Sequence, residues 1–300
     1  MRLALLFAVL VCPAAAQDRF TAQVRVEEDT CRYTVYEVRF PSAVRSPFAA
    51  NNTVWGRLYL PKKPLDGWPP PAVLALPIMA APNVWIESQF VKALVRRGIA
   101  VLLLEMPYQF HRRPGPLMPS GQVFLARKAE RLGANFRQSI ADARRAITWL
   151  QRSGKVDPER IGLFGVSLGA IVSAAVYSRD DRPKAAVLLL GGADFPELAF
   201  SGEMTAEFMR RAGIRREELA AAWKGLDPLD YREDNYGKTV YLINARSDKT
   251  IPPANARKLK DAFHGAEQLW VPLGHYTSIV HLLWLPSHAA RRFEKYLKKS

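Results

Sequence analysis

One five-residue turn constrains this chain more than any other feature. Gly165-Val166-Ser167-Leu168-Gly169 follows the apolar run Ile161 to Phe164 and leads into the helix-like Ala170-Ile171-Val172-Ser173-Ala174-Ala175. A serine flanked in this way at a strand-to-helix junction needs backbone segments to crowd together, which glycine permits. Its hydroxyl then projects above a sheet, with a helix N-terminus behind it to favour developing negative charge. The turn therefore demands a buried strand before it and a buried helix after it.

The rest of the chain supplies such a setting. Ala72 to Leu76, Ala100 to Leu104, Ala186 to Leu190 and Val240 to Ile243 are further short continuous apolar runs, the pattern of strands buried on both faces of a parallel sheet. Helical patterns lie between them at Ser88 to Arg97, within Phe124 to Arg152, at Gly169 to Ser178 and at Pro253 to His264, with a last one near Ser278 to Lys298. Alternation of this kind means an α/β fold. Ahead of Pro69-Pro70-Pro71, the segments Ala22 to Val26, Tyr33 to Phe40 and Thr53 to Leu60 alternate with period two, which predicts an opening antiparallel meander. Among 300 residues, 49% are apolar and 24% charged, which excludes disorder, collagen and coiled coil. No linker-like stretch divides the chain, so residues 17–300 are expected to form one domain. Within it, about 194–236 reads as a cap-like insertion of short helices, such as Pro196 to Met209 and Arg216 to Trp223.

Residues 1–16 read as a secretory leader: Arg2, the apolar run Leu3 to Cys12, then Pro13-Ala14-Ala15-Ala16 with small residues spaced for cleavage before Gln17. The run is too short to span a bilayer. The expected product is exported, periplasmic or secreted. Cys31 would then be the remaining cysteine, so no intrachain disulfide is expected, and its place in an alternating stretch predicts a strand residue. Asn51-Asn52-Thr53 forms a glycosylation sequon that matters only in a host that glycosylates. The net charge of +15 is spread over basic pairs from Arg96-Arg97 to Arg291-Arg292. Such a distribution predicts solvated faces and weak association with anionic surfaces, with no nucleic-acid site. No zinc-ligand spacing or phosphate loop is present, and no metal is expected.

A nucleophilic serine needs a base and an acid to orient it. Asp248 lies just beyond Val240 to Ile243 in the loop Ala245-Arg246-Ser247-Asp248-Lys249-Thr250-Ile251-Pro252. His275 follows the strand-like Gln268 to Val271, in Pro272-Leu273-Gly274-His275-Tyr276. The chain order serine, acid, histidine suits this kind of turn. His275 would take the proton from Ser167 while Asp248 fixes the imidazole tautomer. Asp194, in Gly191-Gly192-Ala193-Asp194, competes as the acid; His111, His264, His281 and His288 compete as the base.

The stretch Asp157-Pro158-Glu159-Arg160-Ile161-Gly162-Leu163-Phe164 with the serine turn, the loop ending Ile251-Pro252-Pro253, and Gly274-His275 together resemble the α/β-hydrolase superfamily, in its dienelactone-hydrolase and acyl-peptidase-type branches. The resemblance runs from about Pro71 to the C-terminus. It implies a mostly parallel central sheet flanked by helices, hydrolysis by Ser167, Asp248 and His275, and no cofactor. Dienelactone hydrolases proper carry cysteine as nucleophile, so Ser167 points to esterases. The family's oxyanion loop usually reads His-Gly, whereas Pro77-Ile78-Met79-Ala80 stands here. Backbone N–H groups do the work in such a hole, so Leu168 and Met79 are the expected donors, with Ile78 as the neighbouring candidate.

Loops beyond strand carboxyl ends border the ligand crevice in open α/β sheets. Tyr108, Phe110 and Arg112, after the run Ala100 to Leu104, are therefore candidate substrate contacts. The reading is a serine carboxylic-ester hydrolase acting on a small-molecule or polymer-borne ester through an acyl-enzyme. Its alternatives are an amidase or peptidase on the same residues, or a noncatalytic binding module on the same scaffold.

Overall fold

The alternating N-terminal segments pair first, each with its sequence neighbour. In the computed structural model, which describes residues 19–80 and 82–299, β1 (Gln23–Asp29), β2 (Tyr33–Pro41) and β3 (Thr53–Pro61) form an antiparallel meander. The leader-like residues 1–16 lie outside the described residues. β1 is exposed along its whole length and carries Arg25, Glu27, Glu28 and Asp29, a charged edge that discourages pairing with another chain. Cys31 falls in the turn between β1 and β2, exposed, and not in a strand as its alternating surroundings predict. Asn51 of the sequon is wholly buried and donates from its amide to Gln138 Oε1 at 2.9 Å, so no glycan fits on the folded chain.

The continuous apolar runs become β4 (Ala72–Leu76), β5 (Ala100–Leu104), β6 (Ile161–Val166), β7 (Ala185–Leu189), β8 (Thr239–Ala245) and β9 (Glu267–Val271). The sheet order is β1-β2-β3-β5-β4-β6-β7-β8-β9, with β3 antiparallel to β5 and every later pairing parallel. Every residue of β4 to β7 is buried, because helices cover both faces. On one face α1 (Trp85–Val95) and α8 (Leu285–Leu297) bring Phe90 and Phe293 onto Val73, Phe164 and Val187. On the other, α2 (Ala129–Arg152), α3 (Leu168–Tyr177) and α7 (Pro253–Ala262) bring Ile147, Val172 and Leu259 onto Leu74, Leu163 and Leu188. Each such fully buried aliphatic or aromatic side chain contributes about 1.5–3 kcal/mol.

Two helix expectations need correction. The segment Pro196 to Met209 is two helices, α4 (Phe195–Ser201) and α5 (Glu203–Ala212), because Gly202 is extended at φ −71°, ψ 126°. A Cβ at Gly202 would stand 2.5 Å from the Thr250 carbonyl oxygen, so only glycine fits this break. With α6 (Arg216–Trp223), these helices pack on α2 through Phe136, Phe195 and Trp223, whose rings meet at 5.1–6.2 Å. The C-terminal pattern divides into a 3-10 stretch, Thr277–Leu283, and α8. Pro286 sits in the first turn of α8, where a missing N–H costs nothing.

Sheet order positions the site. The chain steps outward from β4 to β5, then returns past β4 to β6, so the connections leaving β4 and β6 diverge and open a crevice at their carboxyl ends.

Candidate active site

Ser167 occupies that crevice at φ 54°, ψ −116°, backbone that L-residues avoid. The flanking sequence explains how the conformation is tolerated. A Cβ on Gly165 would lie 2.2 Å from the Gly169 backbone, and one on Gly169 would lie 2.1 Å from the Leu76 carbonyl oxygen. Neither position admits a side chain, and the second contact brings the end of β4 against the start of α3. The Ser167 N–H donates to Leu189 O at 2.8 Å and its carbonyl accepts the Ile171 N–H at 3.0 Å, which ties the turn to β7 and to the helix.

The loops beyond β8 and β9 deliver Asp248 and His275. Asp248 is 4% exposed; its Oδ1 accepts the N–H groups of Thr250 and Ile251 at 2.8 and 2.7 Å, which leaves Oδ2 aimed at His275 Nδ1, 2.7 Å away. A proton on Nδ1 satisfies that contact and leaves Nε2 as an acceptor 3.0 Å from Ser167 Oγ. The two loops are joined where Ser247 N–H donates to Leu273 O at 3.0 Å, and Leu273 turns the chain at φ 77°.

The competing residues are engaged elsewhere. Asp194 caps α4 by accepting the Glu197 N–H at 3.3 Å and pairs with Lys258 at 2.5 Å. His111 stacks on Trp55 and contacts Glu105 at 2.6 Å, while His264 lies against Tyr236. His281 lies 3.3 Å from the Pro272 carbonyl. His288 meets the Tyr241 hydroxyl at 2.8 Å, and burial together with Arg292 and Arg291 pushes its pKa down.

Leu168 and Met79 both border Ser167 in space. Leu168 is the first residue of α3, where an N–H has no intrahelical acceptor. The neighbouring candidate Ile78 has its N–H committed to Glu87 Oε1 at 2.9 Å. Its carbonyl accepts from Gln109 Nε2 at 2.7 Å. Sequence reading passes over both partners. Glu87 is nonetheless conspicuous in hindsight, since it shares the helical face of Phe90, Val91 and Leu94, at spacings that point to the core. Burial pushes its carboxyl pKa up, partly offset by the Ile78 N–H. Gln109 carries no comparable signal, because a loop has no periodicity.

Tyr108, Phe110 and Arg112 are not brought to Ser167. Arg112 is wholly buried, donating to Asp142 Oδ2 at 2.7 Å, Asn51 O at 2.8 Å and Glu105 O at 3.0 Å. Tyr108 is buried with its N–H on Asn51 Oδ1 at 3.0 Å, and Phe110 lines a separate surface groove with Trp55 and His111. The walls around Ser167 come instead from strand ends, from α4 to α6, from α1, α2 and α3, and from the 3-10 stretch after His275. A cavity of about 80 Å³ lies among Leu168, Ile171, Phe136, Phe195, Leu198 and Trp223. A second, of about 370 Å³, lies among Ile86, Phe90, Leu190, His275, Tyr276 and Ile279. Met79, Ser167, Met204 and Thr250 border both.

A family model described as the alpha/beta hydrolase fold matches residues 133–255, which include Ser167 and Asp248. No curated protein matches the sequence. Among solved structures, an acetyl xylan esterase from Paenibacillus sp. R4 is similar with a TM-score of 0.70 at 17% identity, over 94% of this chain and 91% of that one. A puromycin-hydrolyzing peptidase from Mycobacterium tuberculosis gives 0.65 at 16% identity, over 89% of this chain and 46% of that one. A cold-adapted esterase from an Arctic intertidal metagenomic library gives 0.59 at 17%, over 90% and 97%.

Proposed function

We propose that this chain, whose fold is that of the α/β hydrolases, is a serine hydrolase that cleaves carboxylic esters through an acyl-enzyme. The observation that carries the reading is the unbroken line from Asp248 to His275 to Ser167, at 2.7 and 3.0 Å, in the crevice at the strand carboxyl ends. His275 Nε2 takes the Ser167 proton as Oγ attacks the ester carbonyl, and Asp248 stabilises the imidazolium that results. The Leu168 and Met79 N–H groups receive the oxyanion. The tetrahedral intermediate collapses, His275 protonates the departing alcohol, and water repeats the sequence to free the acid.

The two cavities suggest how the substrate lies. His275 borders only the larger one, so the alcohol it protonates departs there. The acyl chain then enters the smaller one, beside Leu168. At about 80 Å³ against about 370 Å³ it is the tighter of the two, which favours a short acyl chain. Tyr276, Ser278 and Thr250 are among the few polar side chains on the larger wall, against Ile78, Ile86, Phe90 and Leu282, which favours an apolar alcohol over a sugar or a peptide. The 1–16 segment adds export to this reading, and the charge of +15 adds weak adhesion to anionic surfaces.

Hydrolysis of p-nitrophenyl esters from acetate to long chains, by the wild type and by Ser167→Ala, tests the reading. Turnover should peak at short acyl chains and vanish in the variant. A folded wild type that hydrolyses none of them, or a variant that retains turnover, overturns it.

A further inference from the structure

We propose that Glu87 and Gln109 are positioning residues that hold the two peptide groups flanking the Ile78 Cα, one through its N–H and the other through its carbonyl, and thereby aim the Met79 N–H at the oxyanion; this rests on the serine-esterase reading above. The loop Pro77 to Ala80 has no glycine, so something other than backbone freedom must set its geometry. Two side chains from different elements do so. Glu87, in the first turn of α1, accepts the Ile78 N–H at 2.9 Å, and Gln109, in the loop after β5, donates to the Ile78 carbonyl at 2.7 Å.

The second contact carries the argument. Across a trans peptide, the carbonyl of Ile78 and the N–H of Met79 point in opposite directions. Gln109 lines neither cavity beside Ser167, whereas Met79 lines both. Holding the Ile78 carbonyl towards Gln109 therefore turns the Met79 N–H towards the cavity side. Both clamping residues are at most 1% exposed, and each keeps one polar atom, Glu87 Oε2 and Gln109 Oε1, without a partner among the described residues. Buried polar groups that are only half satisfied are unfavourable for packing alone, where an apolar side chain would serve better. The loop is also fixed beyond Met79: Ala80 has φ 56°, and a Cβ on Gly121 would stand 2.9 Å from the Ala80 nitrogen.

The test is steady-state hydrolysis of p-nitrophenyl acetate by Gln109→Met, Glu87→Met and Glu87→Gln, with active serines counted by fluorophosphonate labelling run to completion. Per labelled serine, the two Met variants should lose at least about tenfold in kcat, up to the about 10²–10³ that losing a donor costs, with KM nearly unchanged. Affinity for phenylboronic acid, whose tetrahedral adduct carries the mimicked oxyanion, should fall by the same factor. Glu87→Gln, which keeps an acceptor for the Ile78 N–H, should recover most of the loss. A purely structural role would lower the labelled fraction and the melting temperature but not kcat per labelled serine. If Gln109→Met fails to fold, Gln109→Glu keeps the shape, offers no N–H when ionised, and reads the same quantity. Variants that match wild-type kcat within about twofold overturn the clamp alone; a wild type without turnover overturns the esterase reading and the clamp together.

Discussion

Replacing Arg112 by Met should destabilise the fold by about 3 kcal/mol while leaving KM of the folded molecules within about threefold of the wild-type value. The guanidinium and the Asp142 carboxylate are 0% and 1% exposed, so neither gains from solvent in the folded state. Breaking a buried pair by removing one member costs about 3–5 kcal/mol, because the other charge stays behind. Asp142 would still accept from Ser42 Oγ at 2.7 Å and from the Ala43 N–H at 3.0 Å, which places the loss at the lower end. The Glu105 carbonyl also loses this donor, and the Asn51 carbonyl keeps only the longer contact from Gln138 Nε2 at 3.3 Å. Urea unfolding gives the free energy, and ester kinetics on the same samples give KM. Adding Asp142→Asn should return part of the loss, since it removes the stranded charge. A variant as stable as wild type with a strongly raised KM would refute this reasoning and restore Arg112 as a substrate contact.

Three further outcomes follow from the same geometry. Gly165→Ala would push a methyl group to 2.2 Å from the Gly169 backbone, so the variant should lose fluorophosphonate labelling and native near-UV dichroism together, whereas Gly115→Ala, with open space around it, should change neither. Leu198→Ala enlarges the smaller cavity at a cost of about 2–5 kcal/mol and should move the preferred acyl chain to greater length in the p-nitrophenyl series; an unchanged preference would contradict the assignment of that cavity to the acyl group. Burial holds the Glu87 carboxyl above its ordinary 4.5, so the folded protein retains a proton that the unfolded chain releases. Its contribution is complete below about pH 4.5 and is lost as pH rises through the raised folded value. Stability of Glu87→Gln relative to wild type should therefore increase with pH above that point in urea titrations, and parallel profiles would refute this.

Much of the architecture is legible because burial on two faces leaves continuous apolar runs. Ala72–Leu76 and Ala100–Leu104 carry their bounds in the sequence itself. The turn around Ser167 is legible for a different reason: steric exclusion at Gly165 and Gly169 is absolute, so the residue types record the geometry. The loops are not legible in this way. Arg112 reads as a substrate contact because its loop follows a strand carboxyl end, yet the helical stripe Asn135, Gln138 and Asp142 turns inward, and Asp142, 30 residues away along the chain, pairs with it. The break at Gly202 is likewise a tertiary effect, set by the approach of the Thr250 carbonyl. Side-chain support for the Pro77 to Ala80 loop comes from Glu87 and Gln109, and only three-dimensional packing brings α1 and the loop after β5 together around Ile78.

The most direct test of the central claim is rapid acid quenching of the protein with p-nitrophenyl acetate, followed by peptide mass analysis. An acetyl group on the peptide carrying Ser167, formed within the burst of p-nitrophenol release and absent from Ser167→Ala, is the predicted result. Undiminished turnover by Ser167→Ala, or turnover by wild type with the acetyl group on another residue, would contradict the account.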